Sequence, residues 1–79
     1  MVQKSKVIKR WESLRKDLLE QVDRLYALYL LANDLYNNVD TDEFKKFQLQ
    51  IWMNESEEIL DSLATQIKNV DKILKELNK

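Results

Sequence analysis

The groups in this chain that could do chemistry are carboxylates, hydroxyls and amines, and their spacing narrows what that chemistry could be. Glu55, Glu57 and Glu58 form a dense acidic cluster, the raw material for a metal site or a general acid–base pair. Adjacent residues on a helix point in different directions, however, and a di-iron carboxylate centre also needs His on the facing helices. The chain has no His and no Cys, so the commonest general base, the thiol nucleophile and the usual transition-metal ligands are missing together. Ser13, Ser56 and Ser62 have no evident base, and with no Gly anywhere a phosphate-cradling loop cannot form. No catalytic residue, metal or cofactor is predicted, and the protein is not expected to be an enzyme.

The amines are segregated. Residues 1–16 carry Lys4, Lys6, Lys9, Arg10, Arg15 and Lys16 against Glu12, a local charge of +5. Residues 65–79 carry Lys68, Lys72, Lys75 and Lys79 against Asp71 and Glu76, giving +2, and residues 17–64 hold three cations against eleven carboxylates, giving −8. The sum is the chain's net −1. A basic end of this kind suits phosphate contacts in a nucleic-acid-associated regulator. It also suits a membrane surface, with Val7, Ile8, Trp11 and Leu14 in lipid and the lysines around them. A third use is structural: two copies packed antiparallel would set each basic end beside the other's acidic end. With a slightly acidic total and no recognised nucleic-acid-binding motif, the structural use ranks first and nucleic acid second.

These groups must be positioned by helices. Gly and Pro, the strongest breakers, are both absent, so helix can run almost unbroken. Val7, Trp11, Leu14, Leu18, Val22, Leu25, Tyr29, Ala32 and Tyr36 recur at steps of three and four, one apolar stripe along a helix. Leu60, Leu63, Ile67, Val70, Leu74 and Leu77 repeat the pattern more strictly, a seam that calls for a second helix against it. Between them, Asn37 and Asn38 are suited to the left-handed conformation that ends helices. Asp40 and Glu43 have capping-box spacing, with Val39 and Phe44 placed as a hydrophobic staple.

The resulting expectation is an all-α protein, one domain over residues 1–79, built as a long antiparallel hairpin of helices 4–38 and 41–78. Residue i then faces roughly residue 79 − i, which sets Leu18 against Leu60 and Leu63, Leu14 against Ala64 and Ile67, and Trp52 beside Tyr26, Ala27 and Tyr29. The alternative is a three-helix bundle with a break near 54–56, where Asn54 and Glu57 form a second possible capping box. The unbroken helix is preferred, since nothing in the sequence forces a break.

Residues 25–32 are apolar around the whole helix circumference, and one antiparallel neighbour covers only one side. The hairpin is therefore expected to dimerise into a four-helix bundle, or to receive another protein, through Leu25, Tyr26, Leu28, Tyr29, Leu30, Leu31, Tyr36 and Trp52. Tyr and Trp dominate binding energetics at such surfaces. The run is only eight residues long, far short of the ~20 that a membrane span requires, and residues 1–16 carry charge where a secretory signal would be apolar. A soluble, cytoplasmic, non-enzymatic interaction module is the expectation, acting as an adaptor or as a small inhibitor or regulator of a larger partner.

Short segments resemble known helical families. Val7-x-x-Arg10-Trp11-x-x-Leu14 and Trp52-Met53-Asn54-Glu55 are similar to fragments of spectrin-type repeats, in the order of a junction between repeats. The hairpin shape resembles the small helical partners of type VII secretion systems, although Val39-Asp40-Thr41 stands where their Trp-x-Gly turn would be. Residues 14–23 resemble the opening helix of all-helical chorismate mutases, departing from it at Leu18-Leu19. None of these assigns a family.

Overall fold

In the computed structural model, which describes residues 2–38 and 40–79 with side chains from Lys4 onward, the two apolar stripes become two helices. They are α1 (Val2–Tyr36) and α2 (Glu43–Leu77), each of 35 residues and packed antiparallel as a hairpin. The rod measures 60 × 14 × 13 Å, with a radius of gyration of 17.9 Å, against about 12 Å for a compact domain of this length. α2 runs through residues 54–56 without interruption, so the three-helix alternative and its capping box at Asn54 do not hold. Ser56 is 2% exposed in the seam. Its hydroxyl donates to the Trp52 carbonyl at 2.8 Å, which satisfies a buried polar group without breaking the helix.

The turn lies where expected but is built differently. α1 ends at Tyr36 rather than residue 38, and α2 begins at Glu43 rather than residue 41. The N-cap is Asp42, not Asp40: its carboxylate accepts from the Lys45 amide at 2.8 Å, and its carbonyl accepts from the Lys46 amide at 3.0 Å. With Lys45 at the third helical position, Glu43 has no capping-box role. Nor do Asn37 and Asn38 adopt the left-handed conformation, since no described residue has positive φ. Asn38 Oδ1 instead accepts from the Asp40 amide at 2.9 Å, an Asx turn that mimics a backbone turn. The Thr41 hydroxyl closes the end of α1 by donating to the Leu35 carbonyl at 2.7 Å. Val39, the first half of the expected staple, lies outside the described residues, and Phe44 is 69% exposed.

The register also departs from expectation. Among the described residues, two direct side-chain bonds cross between the helices: Arg15 Nε to Asp71, and the Tyr29 hydroxyl to Glu57 Oε1 at 2.7 Å. The residue numbers in each pair add to 86, not 79. The difference is seven, one heptad, and an apolar seam with steps of three and four maps onto itself after such a slide. The sequence pattern alone is degenerate between the two registers. At the shorter one Arg15 would face Ala64 and Tyr29 would face Gln50, so the ion pair and the tyrosine hydrogen bond distinguish them. Each helix is about 52 Å long at 1.5 Å per residue, and the 60 Å rod accommodates the offset. The first two turns of α2 project past Tyr36, and the first turns of α1 project past Leu77.

The core is unevenly distributed along the rod. Leu18, Leu63 and Val70 are buried together in the half remote from the loop, with Trp11, Val22, Leu25, Ile67 and Leu74 packed around them, so that the cluster reaches mid-rod at Leu25. Leu18 shares this cluster with Leu63, but the observed register sets it level with Lys68, so the expected pairings of Leu18 with Leu60 and Leu63 and of Leu14 with Ala64 and Ile67 are displaced by one heptad. In the loop half the buried residues are Ala32, Met53 and Ser56, two of them small. This distribution makes a stability prediction. Leu63→Ala should cost about 2–5 kcal/mol in chemical denaturation, and Asp42→Ala about 0.5–2 kcal/mol. Asp40→Ala should stay within about 0.5 kcal/mol of wild type, because the cap has moved to Asp42.

Candidate interaction surface

The thin core of the loop half leaves large apolar side chains uncovered. On α1, Leu28, Leu31 and Leu35 stand at i, i+3 and i+7, each about half exposed or more, with Leu31 at 62%. On α2, Phe44, Phe47 and Ile51 repeat the spacing and are also exposed; Phe44 and Phe47 lie in the projecting turns, where α1 has already ended. Trp52 and Ile59 are further exposed residues one heptad apart. Leu35, Leu49 and Trp52 form the apolar side of a groove of about 570 Å³, and Asp40, Thr41 and Lys45 give it a polar rim. Trp52 thus lies by Leu35, not by Tyr26, Ala27 and Tyr29, as the seven-residue slide requires.

The residues singled out from sequence fall into two groups. Tyr26, Leu28, Leu30 and Leu31 are exposed, and Trp52 is at the margin of exposure. Leu25 is packed against the core cluster, so it belongs to the seam within the hairpin rather than to a free surface. Tyr29 and Tyr36 are half-buried. Tyr26 and Tyr29 stack, with ring centroids 6.5 Å apart and planes 10° from parallel, and the Tyr29 hydroxyl is held by Glu57. Sequence reasoning missed Leu35, Phe47, Ile51 and Ile59. The i, i+3, i+7 spacing of Phe44, Phe47 and Ile51 was an available signal, masked by assigning Phe44 to a staple.

At the other end of the rod, Lys4, Lys6, Lys9, Arg10, Lys16, Lys68, Lys72 and Lys75 are exposed. Arg15 is the exception: it is half-buried and paired with Asp71, so one cation of the basic end is neutralised within the chain. The stagger lets α1 extend beyond α2 here, which puts Lys4 and Lys6 on an unaccompanied helix end. Glu57, one member of the acidic cluster, serves as the acceptor for Tyr29. The Ser56 hydroxyl is committed to the Trp52 carbonyl, and the Ser62 oxygen accepts from Gln66 at 3.4 Å. Among the described residues no group of three or more His, Cys, Asp or Glu could hold a metal ion, and no helix is long and apolar enough to cross a membrane.

Comparison with protein-family models, with curated proteins and with solved structures finds no match to this chain.

The tyrosine clasp generates a prediction. The Tyr29 phenol is raised above the ordinary tyrosine value, first because its proton is donated to Glu57, then by desolvation and by the Glu57 charge. The folded state therefore favours the neutral phenol. Its contribution to stability is complete below the ordinary tyrosine pKa of about 10 and disappears as pH rises through the raised value. Alkaline titration followed by tyrosinate absorbance should show a transition displaced above that of free tyrosine in the wild type. Tyr29→Phe should remove it, and a wild-type titration with no displaced transition would show that the clasp is absent in solution.

Proposed function

We propose that this chain is a non-enzymatic protein–protein interaction module. It would be a helical hairpin that acts in the cytoplasm as an oligomerising adaptor, or as a small inhibitor or regulator of a larger partner. The observation that carries this reading is the asymmetry of the rod. Its core lies in one half, while the other half displays Leu28, Leu31, Leu35, Phe44 and Phe47 to solvent. Apolar anchors at i, i+3 and i+7 are the spacing by which helices dock into grooves and bundles, and a concentration of exposed apolar side chains marks an interaction site. Burying it would supply the binding energy at roughly 25 cal/mol per Å² of apolar surface, partly offset by the cost of association. The remote basic end would steer encounter and set orientation.

A second reading is supported by the basic end itself, where the eight exposed cations named above line the half of the rod remote from the loop and Lys4 and Lys6 stand on the part of α1 that extends beyond α2. There the protein would be a nucleic-acid-associated regulator that contacts phosphates, and binding would fall steeply with salt.

Leu28→Asp tests the first reading. Leu28 is about half exposed, so the variant should keep its helical circular dichroism, yet lose association because a charge enters an apolar interface. Association is measured by light scattering for self-assembly and by proximity labelling in cells for other proteins. The double change Lys9→Glu with Arg10→Glu should leave that association intact. If the wild type neither self-associates nor labels any protein in a Leu28-dependent way, the interaction reading fails. Salt-sensitive retention of nucleic acid, abolished by the double change, would establish the second reading.

A further inference from the structure

We propose that the occupant of the loop-half surface is a second copy of this chain, docked loop half to loop half about a two-fold axis; this rests on the interaction reading above. Surface area favours such an occupant. The chain exposes 6424 Å², whereas a compact chain of 9.5 kDa exposes about 5,000 Å². The surplus of roughly 1,400 Å² per chain exceeds the ~800 Å² per partner of a standard interface. Most of the large exposed apolar side chains lie in the loop half, so that is where a second copy removes the surplus.

The surface is also complementary to itself. Leu28 and Leu35 are one heptad apart on α1, and Trp52 and Ile59 are one heptad apart on α2. In the observed register Leu35 lies level with Trp52, with which it shares the groove, and Leu28 lies level with Ile59. A two-fold axis through the centre of this quartet places Leu28 on the second copy's Leu35 and Trp52 on its Ile59, with Leu31 close to the axis. An isologous interface demands this exchange of like surfaces. The four helices then form a bundle in which α1 packs on α1 and α2 on α2, antiparallel in each case.

Charge separates this geometry from full overlap. Docking loop half to loop half sends the two basic ends in opposite directions, with their Lys4 residues about 80 Å apart at 1.5 Å per residue, many times the ~8 Å screening length. The docked halves instead carry Asp34, Asp40, Asp42, Glu43, Glu55, Glu57 and Glu58 against Lys45 and Lys46, a like-charged pair of surfaces joined by apolar contact. Added salt therefore tightens the dimer. A fully overlapped antiparallel dimer, with each basic end on the other's acidic end, loosens with salt.

The native chain has no Cys, so single-cysteine variants report the geometry without background. Leu31→Cys alone should bridge to itself with a short bismaleimide, and Leu28→Cys should bridge to Leu35→Cys when the two are mixed. Leu14→Cys should bridge to neither itself nor Leu31→Cys. Light scattering should give twice 9.5 kDa at micromolar concentration, undiminished from low to high salt. Bridging of Leu31→Cys only to Leu14→Cys, with dissociation in salt, would overturn the loop-half geometry in favour of full overlap. A monomer at all concentrations overturns the dimer while leaving the interaction reading standing; that reading fails separately if Leu28-dependent labelling of other proteins is also absent.

Discussion

One constraint governs this molecule: a helix packed against a single neighbour has one covered side. Two 35-residue helices laid side by side share a single seam, so there is no interior in the sense of a three-layer domain. The residues below a tenth exposure are Leu18, Ala32, Met53, Ser56, Leu63 and Val70 among those described, and all belong to that seam. Everything else about the rod follows from how the seam is filled. Where large residues fill it, around Leu18, Leu63 and Val70, flanking groups such as Trp11 and Leu74 fold over it. Where Ala32 and Ser56 occupy it, neighbouring large side chains have no pocket to enter and remain outside.

The seam's period also determines what can be decided locally and what cannot. Hydrophobic contact is non-directional and scales with area, so sliding one helix by seven residues changes it little. Directional groups break the tie. Arg15 with Asp71 is a partly exposed ion pair, and an isolated exposed pair contributes about 0–1 kcal/mol. Tyr29 with Glu57 is a charge-assisted hydrogen bond, stronger than a neutral one. Neither does much for stability in absolute terms. Their importance lies in discriminating between two nearly isoenergetic registers, for which a small difference is enough.

Much of the fold was legible in the sequence, because both stripes are long and no breaker interrupts them. The helices and the turn near residue 39 follow from spacing and from the lack of Gly and Pro. The cap was misplaced by two residues because Asp40 and Asp42 are both competent N-caps, and only the stagger of the helices selects the later one. The left-handed termination expected of Asn37 and Asn38 was unnecessary: the Asn38 side chain and the Thr41 hydroxyl satisfy the turn. The candidate surface was half legible. Residues 25–32 stood out as apolar on every side, and Leu28 and Leu31 are indeed exposed. Phe47 and Ile51 had a signal in their spacing from Phe44, whereas Leu35 and Ile59 could be recognised only once the register placed small residues in the seam of that half.

Segregation of charge and segregation of apolar surface are therefore separate properties of this rod. From sequence they suggested one device, an antiparallel pair in which opposite charges and apolar stripes match together. In the folded hairpin the exposed cations crowd the end where the core is best filled, while the exposed leucines and phenylalanines crowd the other. The two surfaces therefore act separately, the apolar half by contact and the basic half through its field. Between the two, apolar area dominates: at about 25 cal/mol per Å², a few hundred Å² of apolar burial outweighs several screened surface charges at about 0–1 kcal/mol per pair. In an association of the kind proposed, the apolar end would therefore supply most of the energy, while the basic end would act over distance on encounter and orientation.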